Sequence, residues 1–311
     1  MKSETAVIID SSCSLPPGLI NKYDIQQVPL HINIDGKHFV DPCEKQKTLA
    51  LFGSGKLSKK HSIDTQPPTP EDFEKQIMRA IEAGKKSIVI QTVNRKQGET
   101  YQNANIAAAN IRNKLGLLAK DVVIRVMDSR TVFAGQGLMA TETIRRILHG
   151  ENPNSVRRTM DNLSANIHTY VLPKSPLLAQ ERASKRNEKA VSWTQVLIAN
   201  TLGIHPILCI GNDTSYLAAK PIGFNKSAKQ LFAHTMKNIE QGLLSPVLAV
   251  NYGGPLEQLH DIPGYTEMED FAKEKGIKVL KSVMSIAGGI YTSVGSISIA
   301  YASSAPQNWR G

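Results

Sequence analysis

Three short apolar runs end alike. Ile8-Ile9 runs into Asp10-Ser11-Ser12-Cys13-Ser14, Ser87-Ile88-Val89-Ile90-Gln91 ends at Thr92, and Ile124-Arg125-Val126-Met127 ends at Asp128-Ser129. Between them lie helical patterns rather than hairpin turns. Thr69-Pro70-Glu71-Asp72-Phe73 opens a helix with a hydroxyl at the N-cap, proline in the first turn and acids that complement the helix dipole. That helix is expected to bury Phe73, Ile77 and Ile81 on one face. Further helices are expected from about Thr100 to Leu115 and from about Gly135 to Leu148, with a strand from Val122 to Asp128 between them. Strands alternating with helices imply a parallel sheet covered on both faces. In such a sheet ligands sit beyond the carboxyl ends of the strands, where this chain places its hydroxyls and acids.

The remainder of the chain follows another pattern. Asp35-Gly36 is the dipeptide of a tight hairpin between Ile32 to Ile34 and Lys37 to Val40. Gly150-Glu151-Asn152-Pro153-Asn154-Ser155 is rich in turn residues and marks a boundary, giving an N-terminal α/β domain over 1–153 and a C-terminal α+β domain over 154–311. In the second half, strands are expected at Val171 to Pro173, Pro206 to Ile210, Ala218 to Ile222, Pro246 to Tyr252, Lys278 to Leu280 and Gly295 to Tyr301. Val196-Leu197-Ile198 is read on an apolar helix ending near Gly203, and Tyr291 on an apolar glycine-rich strand.

Composition removes several classes of function. No run approaches the roughly 20 apolar residues of a membrane span, and Ala6 to Ile9 is too short for a signal-peptide core, so the cytoplasm is the expected compartment. Cys13, Cys43 and Cys209 form no C-x-x-C pair, and the eight histidines show no metal spacing. The net charge of +10 is scattered, aromatics are 5%, and no nucleic-acid motif is present, so a solvated basic surface is the reading and not a nucleic-acid partner. Gly135-x-Gly137-x-x-Ala140 resembles half a dinucleotide fingerprint but sits several residues beyond its strand, which favours close helix packing. No catalytic triad or nucleophile elbow stands out, no G-x-x-x-x-G-K-[ST] phosphate loop is present, and neither cofactor nor metal is implied.

An ordered set of segments resembles the DegV family. It runs from Ile9-Asp10-Ser11-Ser12-Cys13-Ser14-Leu15-Pro16 through Val28-Pro29-Leu30 to Asp64-Thr65-Gln66-Pro67-Pro68-Thr69-Pro70-Glu71-Asp72-Phe73. It continues with Thr100-Tyr101-Gln102-Asn103-Ala104, Met127-Asp128-Ser129, Gly135-Gln136-Gly137 and Gly203-Ile204-His205-Pro206-Ile207-Leu208. The resemblance implies a two-domain, non-catalytic protein that holds one long-chain fatty acid between its domains. It further implies that the acyl carboxylate is presented to a separate fatty-acid kinase, or, as the alternative, that the protein is a stand-alone carrier of a lipid or other amphiphile.

Residue by residue, Thr65 matches the hydroxyl of the family's Thr-Ser-Gln-Pro motif that contacts the carboxylate. Its neighbour Asp64 stands where the family has threonine, and an acid there repels a carboxylate unless it faces away. The loop after the third strand, Thr92-Val93-Asn94-Arg95-Lys96-Gln97-Gly98-Glu99-Thr100, departs from the family pattern, so the head-group hydroxyl is replaced by Thr92 or Asn94. The family's arginine corresponds to Arg182 or Arg186, its histidine to Tyr291, and Ser11 in the first loop completes the expected ligand set.

Overall fold

A computed structural model describes residues 4–116, 122–185, 203–307 and 309. Its first sheet has the order β2-β1-β6-β7, all parallel, from β1 (Thr5–Asp10), β2 (Gln26–Val28), β6 (Ser87–Thr92) and β7 (Val123–Asp128). Ala6, Ile8, Ile88 and Ile90 face α3 (Pro70–Glu82) and α4 (Thr100–Leu115), where Phe73, Ile77, Ala104 and Ile111 are buried. Val7, Ile9 and Val89 face the opposite way, against α5 (Phe133–Leu148) and α6 (Pro153–Ser164). Strands buried on both faces have no polar positions to alternate with, which is why they read as unbroken apolar runs.

The helix start read from Thr69 is a full capping box. The Thr69 hydroxyl accepts from the Asp72 backbone N–H, and the Asp72 carboxylate accepts from Thr69 N at 2.8 Å. Ile81 is only partly buried, and Ala80 takes the place expected for it on the buried face. At the hairpin between β3 (His31–Ile34) and β4 (Lys37–Val40), Asp35 and Gly36 have φ of 52° and 79°, both in the left-handed region that this turn requires. That hairpin gains a third antiparallel strand, β5 (Ile63–Gln66), on the β3 side, making a small sheet of order β4-β3-β5.

The second sheet is mixed, in the order β10-β9-β8-β13-β11-β12. Its strands are β8 (Ile167–Leu172), β9 (Ile207–Gly211), β10 (Thr214–Ala219), β11 (Val247–Tyr252), β12 (Lys278–Val283) and β13 (Ile297–Ala302), and only the β11–β12 pair is parallel. One face packs on α8 (Phe224–Glu240) and α9 (Tyr265–Glu274) through Leu231, Phe232, Tyr265 and Met268. The other face meets α5, so Val247, Ala249 and Ala300 share one apolar core with Val7 and Ile9 of the first sheet. The two halves are therefore joined through a common helix. α6, which starts at the expected boundary, packs on β7 and β6 of the first sheet.

Gly135 and Gly137 explain how α5 fits between the sheets. A Cβ at Gly135 would lie 2.1 Å from Thr169 Oγ1, and one at Gly137 would lie 2.7 Å from the Ser14 carbonyl oxygen. The glycine pair serves close packing of helix on strand and loop.

Two further sequence expectations change. Tyr291 lies on a short helix, α10 (Ile286–Thr292), not on a strand: Ser285 caps it by accepting from Gly288 N at 3.2 Å. Its glycines permit close approach, since a Cβ at Gly289 would lie 2.4 Å from the Phe52 ring. The strand expected at Ala218 to Ile222 is instead β10, ending at Ala219, because its pairing with β9 starts at the turn residue Thr214. The apolar helix expected at Val196 to Ile198 lies outside the described residues, as does Arg186.

Candidate functional site: an apolar cavity between the sheets

The small sheet and α10 pack together through Ile32, Ile34, Ile63, Ile286 and Ile290, with Phe52 and Leu57 of the connection carrying α2 (Lys45–Gly53). This contact joins the N-terminal half to the C-terminal half above the carboxyl ends of β1 and β6. Alternation along β5 buries Thr65 and exposes Asp64. The Asp64 carboxylate is thereby directed away from the interior. Thr65 Oγ1 and the Tyr291 hydroxyl, 226 residues apart in sequence, are hydrogen-bonded at 2.8 Å.

Both residues line one cavity between the sheets. Leu30, Pro67, Val93, Val132 and Phe133 form its wall from the N-terminal half, and Val171, Ala179, Ala183, Leu208 and Ile210 form the facing wall. Polar atoms are few: besides Thr65 and Tyr291, the lining includes Ser12, Gln97, Thr100, Ser215 and Thr292. A mostly apolar space with a few hydroxyls in its lining suits an amphiphile with a small polar head.

Beneath the cavity lies a buried polar network. Asp10 is fully buried, and its carboxylate accepts from Ser12 N at 2.9 Å, from the Ser12 hydroxyl and from Val93 N at 2.6 Å. Gln136 Nε2 approaches the same carboxylate at 3.4 Å, while Gln136 Oε1 lies 3.0 Å from the Ser12 hydroxyl and accepts from Phe133 N at 3.1 Å. Burial pushes the Asp10 carboxyl above its ordinary value, and these hydrogen bonds oppose but do not cancel that rise. The network fixes the cavity-lining backbone at Ser12, Val93 and Phe133 together.

The expected ligand residues divide. Thr65 and Tyr291 come together in the cavity. Arg182 is buried on α7 (Pro176–Lys185) but is not part of the lining; it donates to the Ile290 carbonyl and, at 2.7 Å, to the Leu57 carbonyl. Burial depresses its pKa, while Glu181 and Tyr291 favour its charge. It clamps the end of α10 beside Tyr291 to the α2–β5 connection.

Thr92 points back into the sheet, donating to Met127 O at 3.5 Å, and Asn94 caps the turn that follows by accepting from Lys96 N at 2.9 Å. The residue between them, Val93, reaches the cavity. Ser11 turns to the opposite side, where it donates to Asp41 at 2.9 Å and accepts from Leu30 N. Ser12 takes the cavity side. Neighbours in a tight turn diverge, so the hydroxyl cluster was legible in sequence while the choice among its members was not. Gln97 and Ser215 carried no sequence signal. They are brought to the rim where Arg95 pairs with Asp213 at 3.0 Å across the two halves.

Residues 4–304 match the family described as "Uncharacterised protein, DegV family". The chain belongs to the DegV family. A DegV domain-containing protein of Xanthomonas campestris is 25% identical over 302 residues, covering 95% of this chain and 96% of that relative. Among solved structures, a stearic acid-binding protein from Eubacterium ventriosum superimposes with a TM-score of 0.79 at 17% identity, over 96% of this chain and 98% of that one. DegV, a fatty acid binding protein from Bacillus subtilis, gives 0.75 at 16% identity, over 96% and 99%. The DegV fold is thus present nearly end to end. Among the described residues no helix is long and apolar enough to cross a membrane.

Proposed function

We propose that this protein binds one long-chain fatty acid in the cavity between its sheets and presents the carboxylate to a separate fatty-acid kinase. The observation that carries this reading is the Thr65–Tyr291 hydroxyl pair set in a mostly apolar cavity. A chain of about fourteen methylenes at roughly 0.8 kcal/mol each supplies on the order of 11 kcal/mol of gross transfer energy, before the costs of association and ordering. A carboxylate carried in with it costs several kcal/mol unless it is hydrogen-bonded. One hydroxyl of the bonded pair donates to the other, which leaves the second O–H to donate to the head group, and the Arg182 guanidinium, spent on neutral carbonyls, sets a positive charge beside Tyr291.

Native mass spectrometry of gently purified protein is expected to show a bound fatty acid that organic extraction releases, with a lower melting temperature after delipidation. Identical melting of the two samples and no extractable lipid would reject the reading.

Tyr291→Phe keeps the ring and deletes the hydroxyl facing Thr65. It is expected to weaken fatty-acid affinity by about 1–2 kcal/mol, as a charged acceptor loses one donor, with the fold intact. Titration calorimetry checks this, and unchanged affinity would move the head group elsewhere.

The altered loop at Thr92 to Thr100 favours a second reading, the stand-alone carrier. Supplying ATP, magnesium and a fatty-acid kinase to the loaded protein separates the two. Acyl phosphate forms under the first reading and not under the second.

A further inference from the structure

Asp128 ends the third of the apolar runs in the first sheet, yet it does not line the cavity. It holds two loops instead. Its Oδ1 accepts from Arg95 N at 3.2 Å and from Arg130 N at 2.9 Å, and its Oδ2 pairs with Arg95 Nε at 3.4 Å. The same guanidinium reaches across to the C-terminal half, where Arg95 Nη2 donates to Asp213 Oδ2 at 3.0 Å. Lys96 Nζ donates to the Asp213 carbonyl at 2.9 Å, and Asp213 N donates to the Arg130 carbonyl at 3.4 Å. These contacts between the halves converge on one residue. Asp213 and Asn212 form the turn from β9 to β10, with φ of 62° and 47°, a left-handed pair that suits a tight hairpin. Burial and, less strongly, the charge of Asp213 raise the Asp128 carboxyl, so Arg95 between the two acids offsets their repulsion.

Every lining residue of the cavity is buried except Pro67, Gln97, Ser215 and Tyr291. Those four, two from each half, mark where the cavity meets solvent. Gln97 follows Arg95 by two positions, and Ser215 follows Asp213 by two. We infer that the Arg95–Asp213 pair is a clasp over the cavity mouth: a fatty acid enters and leaves when the β9–β10 turn parts from the turn at Arg95 to Gln97, and the clasp sets how fast it exchanges. The inference rests on the fatty-acid reading above and deepens it, adding control of exchange at the same site. The strength of the contact suits the task. Arg95 is 51% exposed and Asp213 16%, and an ion pair so accessible favours the closed form by no more than about fivefold, which thermal motion overcomes. Among the described residues β10 is an edge strand, and its pairing with β9 shifts register between Leu217 and Ala219, so its turn moves without breaking a second strand pair. An ordinary surface ion pair does not account for three contacts between the halves meeting on one turn at the mouth.

The test is stopped-flow displacement of a bound fluorescent fatty acid by excess palmitate, for wild type, Arg95→Ala, Asp213→Asn and the double variant. Asparagine keeps the left-handed turn while removing the charge. Association and dissociation rates of the single variants are expected to rise together by about threefold to fivefold, with Kd changed by less than about twofold. The double variant should match the single variants, because each removes the same pair. At about 1 M salt, where the screening length falls to about 3 Å, the wild-type dissociation rate should approach that of the variants, whose own rates stay level. Dissociation rates of folded variants that coincide with wild type, or a weaker Kd with an unchanged association rate, would overturn the inference while leaving the fatty-acid reading intact. If the variants fail to fold, the wild-type salt series carries the test, and a dissociation rate that does not rise with salt overturns the clasp. Absence of fatty-acid binding by the wild type would overturn both.

Discussion

Asp10→Asn is expected to lower the unfolding free energy by about 3 kcal/mol, because the amide turns a donor towards backbone N–H groups that now meet acceptors. Asp10 Oδ1 accepts from Ser12 N and Oδ2 from Val93 N. An asparagine can serve one of them and must oppose the other. Urea denaturation at neutral pH measures the loss, and a change below about 0.5 kcal/mol would show that the carboxylate is dispensable. The pH dependence gives an independent readout. Burial raises the folded-state carboxyl above the ordinary 3.8, so the folded protein holds this proton to higher pH than the unfolded chain. Its contribution is fully present below the unfolded value and is lost as pH rises through the folded one. The stability difference between wild type and Asp10→Asn should accordingly grow as the pH is lowered from 7 towards 4.

Gly135→Ala should be comparably severe. The added methyl would sit 2.1 Å from Thr169 Oγ1 and 2.5 Å from Thr131 Oγ1, two fully buried hydroxyls hydrogen-bonded to each other. Neither can withdraw without breaking that bond, so α5 must shift off β8 at a cost of about 3 kcal/mol. The shift displaces Val132 and Phe133 just before it, so fatty-acid affinity should fall along with stability. Gly18→Ala is the control: nothing lies within 4 Å of a Cβ there, and a change within about 0.5 kcal/mol is expected. Thermal unfolding of the two variants side by side checks the contrast. Equal melting temperatures would show that the α5–β8 contact yields easily.

Which parts of this molecule could be read in advance follows from the range of the interactions involved. The parallel strands were legible because burial on both faces leaves apolar runs, and α3 because its capping box spans four consecutive residues, Thr69 to Asp72. The Asp35-Gly36 hairpin was legible because left-handed backbone selects its own residues. α10 was misread as a strand because Gly288 and Gly289 are weak helix formers set among apolar residues. Its helix is stabilised by the Ser285 cap and by Phe52, Phe133 and Met284 filling the space its glycines leave.

For the site, local sequence determined the menu: hydroxyls and acids gathered at strand ends, with Thr65 and Tyr291 among the candidates. Tertiary structure decided the selection. It brought Thr65 and Tyr291 to 2.8 Å from 226 residues apart, turned Asp64 outward, chose Ser12 over Ser11 and Val93 over its neighbours, and set Arg182 to hold α10. Capping, turn formation and strand burial involve residues within a few positions of one another, and the sequence alone determines them. The direction of a side chain in a loop depends on what lies across the cavity, and that is fixed only when α5 brings the two sheets together.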